Sequence, residues 1–185
     1  MLKETYTYAP LSRVNLDGSR HYQTPEGKPL PSVTTVLSAL ADKTALHEWR
    51  KRVGNEEANR IMNLATGIGT QVHLHLEKFI LEEDRPSGSN LIHQMAKELS
   101  DIVIKDGLSK ISEVWGTEVP LYYPGLYAGT ADCIGVYKGQ QAIIDFKTTR
   151  KPKKRAWIDD YFLQGAAYAE AHNEIYGTDI NTIVI

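Results

Sequence analysis

The spacing of hydrophobic and polar positions changes twice along this chain of 185 residues, dividing it into three stretches. Residues 1–31 are rich in Pro, Tyr, Gly and polar residues, with turn signals at Leu16-Asp17-Gly18 and Pro25-Glu26-Gly27, and predict a short hairpin or arm. From Ser32, placed to cap a first helix, the chain reads as helical to about residue 106; Val72, Leu76, Phe79 and Ile80 form one apolar stripe within it. Breaks are expected near Ala41-Asp42-Lys43, at Thr66-Gly67-Ile68-Gly69, and across Asp84-Arg85-Pro86-Ser87-Gly88-Ser89-Asn90. Past Ile111 the pattern shortens to strands at Val114–Tyr123, Tyr127–Tyr137 and Gln141–Lys147, separated by Pro124-Gly125 and Lys138-Gly139. A basic loop at Arg150–Arg155 leads to a helix around Trp157–Tyr176 and a strand-like Thr182–Ile185. Helices, a β-meander, a helix and a strand specify an α/β (α+β) domain with a mixed sheet. Residues 32–185 read as one domain, with a helical part at 32–110 and a β-rich core at 111–185. The sequence stops inside an apolar run, which suggests that the fold continues beyond residue 185.

Composition narrows the choice of function. Hydrophobic residues at 42% and charged residues at 24% are ordinary for a globular domain of this length. No apolar run is long enough to span a bilayer, so no membrane partner is expected. The single cysteine, Cys133, excludes an internal disulfide framework, an iron–sulfur cluster and a cysteine-based zinc site. The segment from Met1 to Tyr6 has neither the apolar run of a signal peptide nor the Arg-rich character of a transit peptide, so the cytoplasm is the expected compartment. A net charge of −2 means that any nucleic-acid partner must be met by local patches.

The second hairpin carries the strongest chemical signal. A tight turn at Lys138-Gly139 sets a register in which Asp132 lies directly opposite Asp145. Such residues have Cβ atoms about 4.5–5.5 Å apart and share a face. Lys147, two residues on, joins that face, while Ile144 and Phe146 point the other way. Two opposed carboxylates repel unless a cation lies between them, and hard oxygen donors suit Mg²⁺ or Mn²⁺. The plain alternative is a solvated Asp–Asp–Lys cluster on a surface hairpin. Against it, the charges end an apolar run, Ala142-Ile143-Ile144, and Gly129 and Gly135 bracket Asp132.

Several segments occur in an order and spacing that resemble a known family. Gly129-Thr130-Ala131-Asp132-Cys133-Ile134-Gly135, then Ile144-Asp145-Phe146-Lys147-Thr148-Thr149, then Gln164-Gly165-Ala166-Ala167-Tyr168 resemble the PD-(D/E)XK nuclease superfamily, and the Gln-x-x-x-Tyr helix resembles its RecB-like branch. Upstream, Ser32–Val36, Leu46–Trp49, Glu56–Ile61 and Gly69–Glu77 resemble the mitochondrial genome maintenance exonuclease family and its bacteriophage relatives. The resemblance covers roughly residues 31–185; alanine at 131 stands where the superfamily's name has proline.

The resemblance implies a restriction-endonuclease-like core, a mixed central sheet flanked by helices with an N-terminal helical region. It implies that Asp132 and Asp145 bind Mg²⁺, with Mn²⁺ able to substitute, and that the main-chain carbonyl of Phe146 completes the shell. It makes Lys147 the group that orients the attacking water. It makes His73 a further metal ligand; an isolated histidine would more commonly be structural, and His75, on the other side of the helix, keeps that reading. Glu118 matches an acid that helps hold metal or water, or is an exposed strand glutamate. Gln164 and Tyr168, one turn apart, wall the cleft; in isolation Tyr168 would be core.

DNA, single-stranded by analogy with the relatives, is the implied partner. Thr148 and Thr149 can bond phosphate oxygens or simply end the strand. Arg150, Lys151, Lys153, Lys154 and Arg155 leave directly from the site strand and can hold the phosphate backbone, where an isolated basic run would be a solvated loop. Trp157 and Tyr161 follow at helical spacing and can stack on unpaired bases. Trp49, with Arg50, Lys51 and Arg52, is a second candidate contact, its alternative being core packing. The reading is a metal-dependent deoxyribonuclease acting from ends in replication, repair or recombination, in a host cytoplasm if phage-encoded. A structure-specific endonuclease and an inactive DNA-binding module of the same fold are its alternatives.

Overall fold

The computed structural model describes residues 2–185. The N-terminal segment, expected as a hairpin or arm, is a three-stranded antiparallel sheet of β1 (Ser12–Leu16), β2 (Ser19–Gln23) and β3 (Pro29–Pro31). Asp17 and Gly18 take the paired positive φ values that a tight hairpin needs. The third strand returns through a turn closed by Gly27 N–H on Thr24 O at 3.0 Å. Tyr22 and Leu30 from this small sheet bury against Ala128 of the main sheet.

Helix α1 (Val33–Leu40) starts at the expected cap, Ser32 Oγ accepting the Thr35 N–H at 3.0 Å. After the break at 41–43 come α2 (Thr44–Val53) and α3 (Asn55–Ile80). The break expected at Thr66–Gly69 does not occur, and α3 continues through it for 26 residues. Its glycines there serve close approach instead. A Cβ on Gly67 would lie 3.3 Å from Ile92 Cδ1, and one on Gly69 3.2 Å from Thr148 Oγ1. Packing at these points outweighs the roughly 1 kcal/mol that each glycine costs a helix interior. The break at 84–90 is present, and Asn90 caps α4 (Leu91–Asp106) by accepting the His93 N–H at 3.0 Å.

Strands β4 (Ile111–Tyr123), β5 (Tyr127–Tyr137) and β6 (Gln140–Ile144) make an antiparallel meander. Helix α5 (Asp159–Tyr176) then crosses over, and β7 (Thr182–Val184) joins parallel to β6 at the sheet edge. The result is the expected α+β arrangement, a mixed sheet ordered β4-β5-β6-β7 with helices on both faces. Val72, Leu76 and Ile80 of α3 and Ala96 of α4 pack with Val114, Cys133, Ala142 and Ile144. On the other face Tyr168, Ala169 and Ala171 of α5 pack with Val119, Leu121, Ile134 and Ile143. No helix among the described residues is long and apolar enough to cross a membrane.

Boundaries differ from expectation at several points: the helical region also breaks at Gly54, and β4 starts at Ile111 rather than Val114. Trp157 lies in a short 3-10 turn, Arg155–Trp157, ahead of α5 and not on it. Strand β6 stops at Ile144 rather than Lys147, because the sheet forks there.

Candidate active site

The β5–β6 ladder pairs Tyr137 with Gln140 and Cys133 with Ile144, the register that the Lys138-Gly139 turn predicts. The next pair would be Asp132 and Asp145, and at this point the strands part. Asp145 N–H donates to Val184 O of β7 at 2.9 Å. Phe146 N–H donates to Asp132 Oδ2 at 2.7 Å, so a carboxylate stands where a ladder carbonyl would be. Across the sheet, Thr117 faces Cys133 and Val119 faces Ala131, which sets Glu118 beside Asp132. Glu118 has φ +49°, a left-handed conformation costing about 1 kcal/mol for a residue with a Cβ. Glu118, Asp132 and Asp145 thus form one acidic row over three strands, two of the three members half-buried and Asp145 only 2% exposed.

Helix α3 brings His73 to this row from the opposite layer. Its Nε2–H donates to Phe146 O at 2.8 Å, and Nδ1 lies 3.5 Å from Asp132 Oδ1. Donor atoms of His73, Glu118 and Asp132 lie within 4.8 Å of one another. Asp145 adjoins this group with its carboxylate turned towards Lys147. The Lys147 ammonium is ion-paired with Asp145 Oδ2, while Asp145 Oδ1 has no hydrogen-bond partner among the described residues. A fully buried carboxylate left in that state is costly and is the donor chemistry a hard cation satisfies. These side chains therefore fit a divalent metal. The Phe146 carbonyl, expected as a ligand, is held here by His73.

Helix α5 supplies the other wall. Lys147 Nζ donates to Gln164 Oε1 at 3.4 Å, and Gln164 Nε2 donates to Tyr168 Oη at 3.3 Å. Tyr168 is buried beneath Gly129, where a Cβ would come within 2.6 Å of its ring; the glycine makes room for the tyrosine. The Tyr161 ring lies 5.3 Å from the ammonium, a cation–π contact. Sequence reasoning took Tyr161 as a platform for bases; its partner is Lys147. The signal was present, since Tyr161, Gln164 and Tyr168 are spaced to share one helix face.

The charges are mutually tuned. Burial, and then the charge of Asp132, push the Asp145 carboxyl up to about 6. The same causes raise Glu118. Burial works against a charged His73, but the hydrogen bond and charge of Asp132 and the Phe146 carbonyl outweigh it, and its pKa is raised. Both His73 nitrogens face acceptors, which favours the imidazolium.

The remaining expected residues are not gathered at the acidic row. Thr149 Oγ1 donates to Lys151 O at 2.6 Å and caps its own turn. Thr148 Oγ1 lies beside Gly69 of α3. Arg150, Lys151, Lys153, Lys154 and Arg155 are exposed; Arg155 pairs with Asp159, and Lys154 lies 5.2 Å from the ring of Trp157, which is 60% exposed. Trp49 is half-buried and outside the buried clusters, and Arg50 ties α2 to α3 through Asn59 Oδ1 at 2.7 Å. His75 is buried and structural, Nδ1 accepting from Arg85 at 3.2 Å.

No family model matches this chain. It is similar to mitochondrial genome maintenance exonuclease 1 from three animals. The identity is 29% over 170 residues for the Xenopus tropicalis protein, covering 82% of this chain and 46% of that one. It is 29% over 157 residues for Homo sapiens, covering 78% and 44%, and 28% over 132 residues for Mus musculus, covering 67% and 38%. The chain spans less than half the length of each of these relatives.

Proposed function

We propose that this chain is a metal-dependent deoxyribonuclease with a PD-(D/E)XK core of the RecB-like kind, acting as an exonuclease on single-stranded DNA or DNA ends. The observation that carries the reading is the acidic row itself: His73, Glu118 and Asp132 with donor atoms within 4.8 Å of one another, and beside them the buried Asp145 carboxylate, ion-paired with Lys147 through one oxygen and unpartnered at the other. The word exonuclease in the names of the similar proteins supports the same reaction.

His73, Glu118, Asp132 and Asp145 are the residues that would hold Mg²⁺ or Mn²⁺. When bound, the ion lowers the pKa of a coordinated water and polarises the phosphoryl group. Gln164 and Tyr161 fix the Lys147 ammonium, so its charge is aimed before substrate arrives and little reorganisation is needed as negative charge builds on the phosphate. Tyr168 orients Gln164 from below. The exposed cations at 150–155 and the threonines at 148 and 149 form the approach for the phosphate backbone, and Trp157 offers an open ring face for a base.

The test is digestion of end-labelled linear single-stranded, linear double-stranded and closed circular DNA, with Mg²⁺, with Mn²⁺ and with chelator. The expected result is shortening of linear single strands in either metal and none in chelator. Cutting of the circle would replace the exonuclease by an endonuclease. DNA binding with no cleavage under any condition would leave only a binding module and overturn the proposal.

A further inference from the structure

We infer that Arg13 is a phosphate-binding residue of this cleft, holding the nucleic-acid strand on the side of the acidic row opposite Lys147. The inference rests on the nuclease reading and adds a second cationic wall to it. Strand β5 has β4 along one edge and changes its neighbour on the other. For Cys133–Tyr137 that neighbour is β6, whereas Ala128 is bridged by Ser32, just past β3. Asp132 falls in the gap between the two, where β6 has left and the N-terminal sheet has taken its place. One wall of the gap is therefore the end of β6 with Asp145 and Lys147. The other is the small sheet.

That second wall is built to present a cation. Arg13 lies directly opposite Tyr22 in the β1–β2 ladder, with its guanidinium 5.8 Å from the Tyr22 ring centre. The Tyr22 ring is buried, and its hydroxyl meets Thr130 Oγ1 at 3.1 Å. Thr130 precedes Asp132 by two residues and shares its face, so the platform under Arg13 lies one row along the sheet from the Glu118–Asp132 pair. Arg13 itself is exposed and has no ion pair among the described residues. A guanidinium held on an aromatic ring beside a site that draws phosphates is suited to a charge-assisted contact with a phosphodiester oxygen.

The experiment measures binding of a fluorescent single-stranded oligonucleotide to the full chain in chelator, across a salt series, alongside its cleavage in Mg²⁺. Arg13→Gln is expected to weaken binding about fivefold and to reduce the slope of log K against log salt by about 0.7, one phosphate contact on a single strand. Arg13→Lys keeps the charge and is expected to keep the slope. Lys138→Gln removes an exposed cation at the far end of β5, about 20 Å along the strand from Asp132, and is expected to change neither. An unchanged slope in Arg13→Gln overturns the inference, as does an equal loss in Lys138→Gln, which would mark diffuse charge. Cleavage by the wild type, with Arg13→Gln binding normally, would sink Arg13 and leave the nuclease standing. A wild type that neither binds nor cuts would take both down.

Discussion

His172 and Asp145 are both buried titratable groups at the ends of elements that pack on one sheet, yet their surroundings differ in kind. His172, 0% exposed, is fully satisfied. Tyr8 O–H donates to Nε2 at 3.2 Å, while Nδ1–H donates to Thr178 Oγ1 at 2.8 Å, which passes its own proton to Asn173 Oδ1 at 2.7 Å. The rings of Tyr6 and Tyr176 enclose the imidazole, with centroids 4.9 and 4.7 Å away. Burial pushes its pKa down to about 4, so it is a neutral pin joining the N-terminal segment to α5. Asp145 is nearly as hidden but is crowded by a second acid, and its only partner among the described residues is the Lys147 ammonium on one oxygen. Burial is common to both; the crowding of Asp145 by a second acid, with a lysine as its counter-charge, is what sets it apart from a satisfied histidine.

The largest effect should come from removing the Asp145 carboxylate. Asp145→Asn is expected to lower the cleavage rate by roughly a hundred- to thousandfold, with oligonucleotide binding kept. Lys147→Ala should cost activity as heavily. The two should part in stability: in metal-free buffer at pH 8, Asp145→Asn should unfold at higher denaturant than wild type, and Lys147→Ala at lower, since it strips the compensating charge. Added Mg²⁺ or Mn²⁺ should stabilise wild type more than Asp145→Asn. Asp145→Asn retaining full cleavage would end the assignment.

At His172 the signs reverse. His172→Phe takes the acceptor from the Tyr8 hydroxyl and the donor from Thr178, which keeps its bond to Asn173, and should cost about 2 kcal/mol in denaturant unfolding while leaving the rate per folded molecule unchanged.

The pH dependence sharpens the contrast. Asp145 has a folded pKa above its ordinary value, so the folded state takes up its proton first and the metal-free protein gains stability as pH is lowered through 6. His172 has a folded pKa below its ordinary value, so stability is lost as pH falls from 6.5 towards 4. The two oppose each other between pH 4 and 6. Unfolding curves at stepped pH should therefore be flatter in wild type than in Asp145→Asn, which exposes the histidine alone. The smallest effect concerns Tyr161. Tyr161→Leu should reduce the rate by about fivefold, near 1 kcal/mol, and Tyr161→Phe, which keeps the ring, should restore it.

Much of the site was legible because its geometry is local. The turn at Lys138-Gly139 sets the β5–β6 register, and the period of two then orders Asp132, Asp145 and Lys147. Ser32 and Asn90 sit at helix starts for equally local reasons, although only Ser32 was read as a cap. What escaped depends on distant contacts. Strand β6 ends at Ile144 because the Asp132 side chain and Val184 capture the next two N–H groups. Helix α3 survives Gly67 and Gly69 because Ile92 and Thr148 press against them. The small sheet is held by Tyr22 on Ala128 and Thr130, contacts spanning more than a hundred residues, and Arg13 comes with it.

The bond from Asp145 N–H to Val184 O makes completion of the acidic row a late event in the life of each molecule. A ribosome synthesises residue 145 long before residue 184, and until β7 settles beside β6 the N–H of that aspartate lacks its partner. An emerging chain can form its meander and bury α3 while this part of the centre is still unset. The backbone of Asp145 is thereby fixed only once the sheet has closed, a timing written into the order of the strands.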